Sequence, residues 1–121
     1  MVVKPLVLVV EDEAFIRLNA ATMLEDAGFD TVEAATADQA IRHLETNGRI
    51  QIVFTDINLP GSMDGLRLAA AIRSRWPPIE LVLTSGHVVV AEKDMPARGL
   101  FLPKPYSSQQ LIHTMRSFDR P

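Results

Sequence analysis

Hydrophobic and polar positions follow two distinct periods along the chain. Runs of apolar or β-favouring residues, which are typical of strands, lie at 6–10, 30–34, 50–55, 81–83 and 100–102. Apolar residues that recur every three or four positions, as on one face of a helix, lie at 14–27, 37–47, 66–76 and 107–118. The continuous run at 6–10 also indicates a central strand covered on both faces. Alternating strands and helices predict an α/β fold with one parallel sheet, right-handed crossovers and helices on both faces.

Local signals mark the start of two of these helices. Thr36 with Gln39, and Ser107 with Gln110, match capping boxes, in which each side chain bonds the backbone amide of the other residue. The stretch at 88–91 fits either a strand or a helix by composition, so the pattern leaves its structure open.

Composition and charge limit the class of protein. The chain has 121 residues, 47% of them apolar and 22% charged, as expected of one globular domain spanning 1–121. It contains no cysteine, which excludes disulfides and thiolate metal sites. It shows no signal-peptide pattern and no apolar run near the ~20 residues of a membrane span. The net charge of −3, with no basic stretch, argues against nucleic-acid binding. We therefore expect a cytoplasmic protein with no direct nucleic-acid or membrane partner.

Polar side chains follow four of the predicted strands, at the point where each strand ends. They are Glu11 and Asp12, Asp56, Thr84 and Ser85, and Lys104. In a doubly wound sheet of order 2-1-3-4-5, the first and third strands are neighbours, and ligands bind where the strand order reverses. The three carboxylates would then crowd one crevice and repel each other. Mg²⁺, which prefers oxygen ligands, would relieve that repulsion.

Lys104 and a hydroxyl complete a set of groups suited to phosphoryl chemistry. Lys104 offers a compact positive charge to a phosphate oxygen, and Ser85 offers a hydroxyl to the same anion. A carboxylate such as Asp56 beside Mg²⁺, a lysine and a hydroxyl can attack phosphorus and form an aspartyl phosphate. Each feature alone has a simpler interpretation, namely a helix N-terminal acid pair, a solvated loop lysine and a turn. Their joint arrangement favours a phosphoryl-transfer site.

Five motifs taken together resemble the receiver domain of two-component response regulators, in its single-domain form. They are VVEDE at 9–13, TDINLPG at 55–61, DG at 64–65, LTSG at 83–86 and KP at 104–105. The resemblance covers essentially the whole chain, with the motifs in order. It implies a flavodoxin-like (βα)5 fold, which is a doubly wound five-stranded parallel sheet of order 2-1-3-4-5.

The resemblance also implies roles for individual acidic and amide residues. Asp56 matches the phosphoacceptor. Glu11 and Asp12 match the acid pair that organises Mg²⁺. Asn58 matches the residue that lends the metal a main-chain carbonyl, and both Asn58 and His87 match positions that tune dephosphorylation.

A second group of matched residues would bind the phosphoryl group and report its presence. Lys104 matches the phosphate-binding lysine, with Pro105 after a cis peptide. Ser85 matches the switch hydroxyl, and the adjacent Thr84 is the alternative if the register of the fourth strand differs. Phe101, three residues before Lys104, matches the aromatic residue that moves inward upon phosphorylation.

Besides the adjacent hydroxyls of Thr84 and Ser85, the sequence departs from the family pattern in two places. The loop 61–65 is one residue longer than usual, which would alter the geometry beside the metal. The interval between Ser85 and Phe101 is short and contains Pro96. The fourth helix, part of the family's usual output face, is therefore expected to be short or irregular.

The resemblance implies a signalling domain rather than a metabolic enzyme. A histidine kinase or a histidine phosphotransfer protein would donate a phosphoryl group to Asp56 in a Mg²⁺-dependent reaction. The domain would catalyse only its own phosphorylation and dephosphorylation. With no output segment after the last helix, its switched surface would bind a downstream protein target.

Two alternatives stay open. A Mg²⁺-dependent phosphohydrolase with an aspartyl-phosphate intermediate usually needs a second Asp two positions after its nucleophile, where this chain has Asn58. It also usually needs a substrate-enclosing cap, for which the chain has no room. A receiver-like module that binds partners without phosphate is disfavoured by the complete set of acids, hydroxyl and lysine.

Overall fold

The computed structural model describes residues 4–87 and 90–118, which contain one five-stranded sheet. The strands are β1 (Leu6–Val10), β2 (Asp30–Ala34), β3 (Ile50–Asp56), β4 (Glu80–Ser85) and β5 (Leu100–Pro103). Neighbouring strands are parallel, and their order is β2-β1-β3-β4-β5. The predicted doubly wound α/β fold is therefore confirmed, and the strand order reverses between β1 and β3.

The described residues also form four α-helices, each entered through a side-chain cap. They are α1 (Ala14–Asp26), α2 (Ala37–Thr46), α3 (Gly65–Arg75) and α4 (Ser108–Arg116). The capping box of Ser107 and Gln110 is complete. At α2 the Thr36 hydroxyl accepts from the Gln39 amide as predicted, but the Gln39 side chain bonds the amide of Ala35 instead of that of Thr36. No helix within the described ranges is both long enough and apolar enough to span a bilayer.

The sheet separates two hydrophobic cores, one on each face. Leu8 of β1 lies in the core beneath α2 and α3, together with Leu68, whereas Val9 lies in the core beneath α1 and α4, together with Leu111. Successive strand residues point to opposite faces, and all five residues of β1 are buried. Burial on both faces explains why this strand reads as a continuous apolar run.

The connection between β4 and β5 has one turn of 3₁₀ helix, Glu92–Asp94, as the only helical stretch among residues 86–87 and 90–99. The expectation of a short or irregular helix is thus confirmed for the described part of this connection. Val88 and Val89, whose structure the sequence left open, lie outside the described residues. Arg73 of α3 anchors the connection by donating to the main-chain oxygen of Ala97 at 2.9 Å. The helix called α4 is consequently the one that follows β5.

Candidate functional site

Three carboxylates meet at the carboxyl ends of β1 and β3. Glu11 and Asp12 directly follow β1, and Asp56 is the last residue of β3. Because these strands are neighbours, one oxygen of each side chain lies within 4.8 Å of the other two. Glu11 and Asp56 are buried, at 5% and 6% exposure, whereas Asp12 is exposed. The acids that the sequence predicts in one crevice do lie together.

Lys104 reaches this crevice from the end of β5 and bridges two of the acids. Its Nζ atom lies 2.7 Å from Glu11 Oε1 and 2.7 Å from Asp56 Oδ2. The Lys104–Pro105 peptide bond is cis, as the resemblance implies. Burial lowers the pKa of Lys104, but hydrogen bonds to Asp56 and Glu11 outweigh that effect and leave the pKa raised. The lysine therefore stays charged and offsets one of the negative charges.

The two oxygens of Glu11 have different partners. Oε1 accepts from Lys104, and Oε2 accepts from the amide of Glu13 at 3.2 Å. Burial raises the pKa of Glu11, and the hydrogen bonds from Lys104 and Glu13 lower it only in part. A cation bound among the acids would favour the charged form of this carboxylate.

The chain turns sharply after Asp56, and Gly65 makes that turn possible. Asp56 Oδ1 accepts from the Asn58 amide at 2.9 Å, and the Gly65 amide donates to Ile57 O at 2.8 Å. A Cβ atom on Gly65 would lie 2.0 Å from the main-chain oxygen of Asp56, so a larger residue would force the backbone to shift. The longer loop turns through Gly61, whose φ is +96°. It therefore returns to the site through a close approach that only glycine permits.

The adjacent hydroxyls of Thr84 and Ser85 lie on opposite faces of β4. Ser85 Oγ accepts from the His87 amide at 3.2 Å and from Asn58 Nδ2 at 3.4 Å. Thr84 pairs in register with Asp56 and points toward the core beneath α1 and α4. Its Oγ1 atom is buried without a hydrogen-bond partner among residues 4–87 and 90–118. Thr84 contacts the loop that follows Asp56 only through its main-chain oxygen, which accepts from the Ile57 amide at 2.9 Å, so the hydroxyl connected to that loop is the one of Ser85.

Phe101 lies with the core rather than with the acids. It is half-buried in β5, pairs in register with Leu83 and packs against the core beneath α2 and α3. Thr84 lies on the same face of the sheet as Asp56 and lines a small cavity with Asp56 and Glu11, but its hydroxyl hydrogen-bonds neither carboxylate. The sequence-predicted residues that carboxylate clustering or hydrogen bonds join to one another are Glu11, Asp12, Asp56, Lys104, Asn58 and Ser85.

One residue in contact with this region was not singled out from the sequence. Arg17 of α1 donates from Nη1 to the main-chain oxygen of Glu11 at 2.8 Å and pairs through Nε with Glu33 Oε1 at 3.2 Å. Arg17 and Glu33 are 16 positions apart, so no helical or strand spacing relates them. The register of β1 against β2, in which Val9 pairs with Glu33, is the signal that would have placed Glu33 near the end of β1.

A groove of about 650 Å³ opens beside Lys104. Apolar residues of α1 form one wall, and among them the Phe15 side chain is 81% exposed. Tyr106 lines the groove as well, and its ring meets the ring of Phe54 edge-on at 5.6 Å between centroids. Burial raises the pKa of Tyr106 to about 12.

The arrangement suits a hard divalent cation and an anionic substrate. Mg²⁺ binds through one or two carboxylates and keeps several positions for water and phosphate oxygens, and Glu11, Asp12 and Asp56 offer only oxygen donors. A carboxylate in such a site can act as a nucleophile. The ammonium group of Lys104, 2.7 Å from Asp56 Oδ2, offers N–H donors to an anion bound beside that carboxylate.

Comparison with known protein families and curated proteins identifies similar chains. The model of the family described as response regulator receiver domain matches residues 7–116. The chain is 35% identical over 114 residues to the sensor kinase CckA of Brucella abortus, and 35% identical over 114 residues to the nitrogen assimilation regulatory protein NtrX of Azorhizobium caulinodans. These alignments cover 91% and 88% of this chain, but 12% and 24% of the respective relatives.

Solved structures give matches that extend over both chains. The response regulator receiver protein from Sinorhizobium medicae has a TM-score of 0.88 and 30% identity, with coverage of 94% of this chain and 93% of that one. The receiver domain of NtrX from Brucella abortus has a TM-score of 0.82 and 35% identity, with coverage of 92% and 95%. The similarity is thus to a complete receiver domain, while the chain spans 24% or less of the two curated relatives named above.

Proposed function

The chain belongs to the response regulator receiver family, and we propose that it accepts a phosphoryl group on Asp56 from a histidine kinase or a histidine phosphotransfer protein. The observation that carries this proposal is the contact of Lys104, at 2.7 Å, with both Asp56 and Glu11. A buried pair of acids is costly unless positive charge compensates it. The site therefore suits a cation together with an anion that Lys104 can bind.

Mg²⁺ is the cofactor that we propose for this site. Glu11, Asp12 and Asp56 would hold it, with the main-chain carbonyl of Asn58 as a further ligand. When bound, Mg²⁺ would shield the negative charge that the acids present to an incoming phosphoryl group. The support is the donor set, which consists of oxygen atoms within 4.8 Å of one another.

Asp56 is the nucleophile in the proposed reaction. A carboxylate oxygen of Asp56 forms a bond to phosphorus while the P–N bond of the donor's phosphohistidine breaks, and the electron pair of that bond leaves with the imidazole. Lys104 would exchange its contact with the Asp56 oxygen for one with a phosphoryl oxygen. Ser85 would donate its hydroxyl proton to another phosphoryl oxygen. Support for Ser85 rather than Thr84 is the 3.4 Å contact of its Oγ with Asn58, in the loop after Asp56.

The proposed signal passes from Ser85 to Phe101. Movement of Ser85 toward the phosphoryl group would open space that Phe101 could fill, a local change that biases a two-state surface. The support is their common face of the sheet, because Leu83 lies two residues before Ser85 on β4 and pairs in register with Phe101. The changed surface would bind a downstream protein.

The apolar groove beside Lys104 supports a protein as the donor. Phe15 and Ile16 of α1, which line this groove, are 81% and 38% exposed, and exposed apolar patches commonly mark protein-binding surfaces. A donor docked there would deliver its phosphohistidine next to Asp56. We propose that this occurs in the cytoplasm, since ATP supplies the phosphoryl group of such donors.

Phosphoryl uptake tests the proposal directly. Wild-type protein incubated with Mg²⁺ and acetyl phosphate or phosphoramidate should gain one phosphoryl group by intact-mass spectrometry, and Asp56→Asn should gain none. Asp64→Asn is the matched control, because Asp64 caps α3 in the same loop but stands outside the carboxylate cluster, and Asn caps helices equally well. Equal uptake by wild type and Asp56→Asn would exclude Asp56 as the acceptor.

Assays of the wild-type protein with phosphomonoesters and with beryllofluoride distinguish the two alternative functions. Repeated turnover of phosphomonoesters would favour a Mg²⁺-dependent phosphohydrolase, against which stands Asn58 at the position where a second acid is needed. A wild-type protein that takes up neither phosphate nor beryllofluoride, yet still binds partners, would favour a phosphate-independent receiver-like module.

A further inference from the structure

We propose that Arg17 is a positioning residue that fixes the Glu11–Asp12 peptide plane and thereby sets the affinity of the acidic cluster for Mg²⁺. The Mg²⁺ part of this inference rests on the function proposed above. The positioning part rests on the contacts of Arg17 alone.

The guanidinium of Arg17 makes two directed contacts. Nη1 donates to the main-chain oxygen of Glu11 at 2.8 Å, and Nε lies 3.2 Å from Glu33 Oε1 on β2. The side chain of Arg17 is only 21% exposed. Because the guanidinium is planar and its donors are rigidly arranged, the ion pair with Glu33 orients the Nη1 donor toward Glu11.

The oxygen that Arg17 binds belongs to the peptide bond joining two of the three acids. The amide of Glu11 donates to the main-chain oxygen of Ala34 at 3.0 Å. Both polar backbone groups of Glu11 are thus anchored, one to β2 and the other to α1. Rotation of the Glu11–Asp12 peptide would break the Arg17 contact.

Asp12 depends on this anchoring more than its two neighbours do. Glu11 and Asp56 are each held by Lys104 at 2.7 Å. The carboxylate of Asp12 is exposed and accepts no hydrogen bond from residues 4–87 or 90–118. Its place in the cluster therefore follows from the backbone that Arg17 fixes.

Charge and positioning predict opposite effects for the loss of Arg17. A positive guanidinium repels a divalent cation, so removing its charge would tighten Mg²⁺ binding if electrostatics alone mattered. Removing a group that orients metal ligands weakens binding, typically by about 10- to 100-fold. The direction of the change therefore distinguishes the two roles.

Direct Mg²⁺ titration by calorimetry on the intact chain tests the inference. We expect Arg17→Met to raise the Kd for Mg²⁺ by about 10-fold or more. Arg17→Lys keeps the charge but lacks the planar guanidinium that binds Glu33 and Glu11 at once. This variant should also weaken Mg²⁺ binding, by a smaller factor. Arg49→Met is the matched control and should bind like wild type, because Arg49 pairs with Asp30 at 3.3 Å with its side chain 59% exposed and contacts none of the three acids.

A metal-free measurement keeps the positioning role testable by itself. In EDTA, amide hydrogen exchange at Glu11 and Glu13 should accelerate in Arg17→Met relative to wild type and Arg49→Met. These amides donate to Ala34 O and Glu11 Oε2. Circular dichroism and thermal unfolding confirm that each variant remains folded.

The outcomes separate this inference from the proposed function. Equal or tighter Mg²⁺ binding by Arg17→Met overturns the inference while leaving Mg²⁺ binding by the wild type intact. A wild type that binds no Mg²⁺ at millimolar concentration overturns both the proposed cofactor and the effect of Arg17 on affinity. In that case unchanged amide exchange in Arg17→Met would overturn the positioning role as well.

Discussion

At the scale of single residues, one side chain and one missing side chain shape the acidic crevice. Lys104 lies 2.7 Å from both Glu11 and Asp56 and is the cation that the chain itself provides to them. Gly65 lets the loop return to Asp56, because a Cβ atom there would lie 2.0 Å from the Asp56 main-chain oxygen. Lys104 is 93 and 48 positions from its two acids, so its contacts depend on the completed fold, whereas Gly65 meets Asp56 across a single loop.

Tyr106 gives a prediction about pH at this scale. Its ring is half-buried beside Phe54, and this burial raises its pKa to about 12, compared with about 10 for an unperturbed tyrosine. A pKa that is higher in the folded state means that the associated stability is present below about pH 10 and is lost as the pH rises through 12. Tyr106 is the only tyrosine of the chain, so ultraviolet absorbance of tyrosinate should show one transition with a midpoint near 12.

Two checks accompany this titration. Tyr106→Phe should abolish the absorbance transition, since tryptophan does not ionise in this range. Circular dichroism recorded at each pH reports whether the fold persists. A midpoint near 10 in a protein that is still folded would contradict the expected burial of the hydroxyl.

At the scale of elements, the connection between β4 and β5 relies on contacts with α3. Arg73 of α3 donates to the main-chain oxygens of Ala97, Pro77 and Ile79 at 2.9, 2.9 and 2.8 Å. Burial lowers the pKa of Arg73, and the charge of Arg98 adds to that effect. An arginine nevertheless remains charged at neutral pH. Arg73 therefore links the connection to both the end of α3 and the start of β4.

We predict that Arg73→Met loosens this connection. Three carbonyl groups would lose a charged donor, which should lower the free energy of unfolding by about 1–3 kcal/mol in a denaturant titration. The Gly99 amide, which donates to Pro96 O at 3.0 Å, should exchange its hydrogen faster. Arg67→Met is the control, because Arg67 lies exposed on the same helix. Equal stability and exchange in the two variants would rule out the anchoring role of Arg73.

At the scale of the whole molecule, two cores stabilise a sheet that presents its acids at one edge. The cores lie on opposite faces of the sheet, and the acids lie where the strand order reverses. Crowded carboxylates oppose folding because their charges repel each other. A ligand that binds only the folded cluster should therefore stabilise the entire domain.

We accordingly predict that Mg²⁺ raises the thermal unfolding temperature and that EDTA reverses the increase. At 100 times its Kd, a ligand stabilises the folded state by about 2.7 kcal/mol, which corresponds to several degrees for a domain of this size. Asp12→Asn should reduce the increase, since it removes one of the three clustered acids. Asp94→Asn, an exposed acid in the 3₁₀ turn, should respond to Mg²⁺ like wild type. No Mg²⁺-dependent shift in the wild type would contradict the proposed metal site.

The sequence by itself determined the order of the elements and the chemistry at the strand ends. Apolar periodicity and turn residues are local properties, so they sufficed to predict the alternating strands and helices that the structure contains. The same local reading placed Glu11, Asp12 and Asp56 after strands that proved to be neighbours in the sheet. The motifs around those residues also sufficed for the family resemblance, which the comparisons confirmed.

Only the tertiary structure decided which atoms of these residues meet. Strand register and side-chain rotamers place Lys104 between two acids, turn Ser85 and Thr84 to opposite faces, and direct Arg17 at the Glu11 carbonyl. Local spacing does not encode such contacts, because they join segments whose relative position is set by the packing of the whole sheet. The short interval and Pro96 sufficed to predict an irregular connection between β4 and β5, but its attachment to α3 through Arg73 appeared only in the fold.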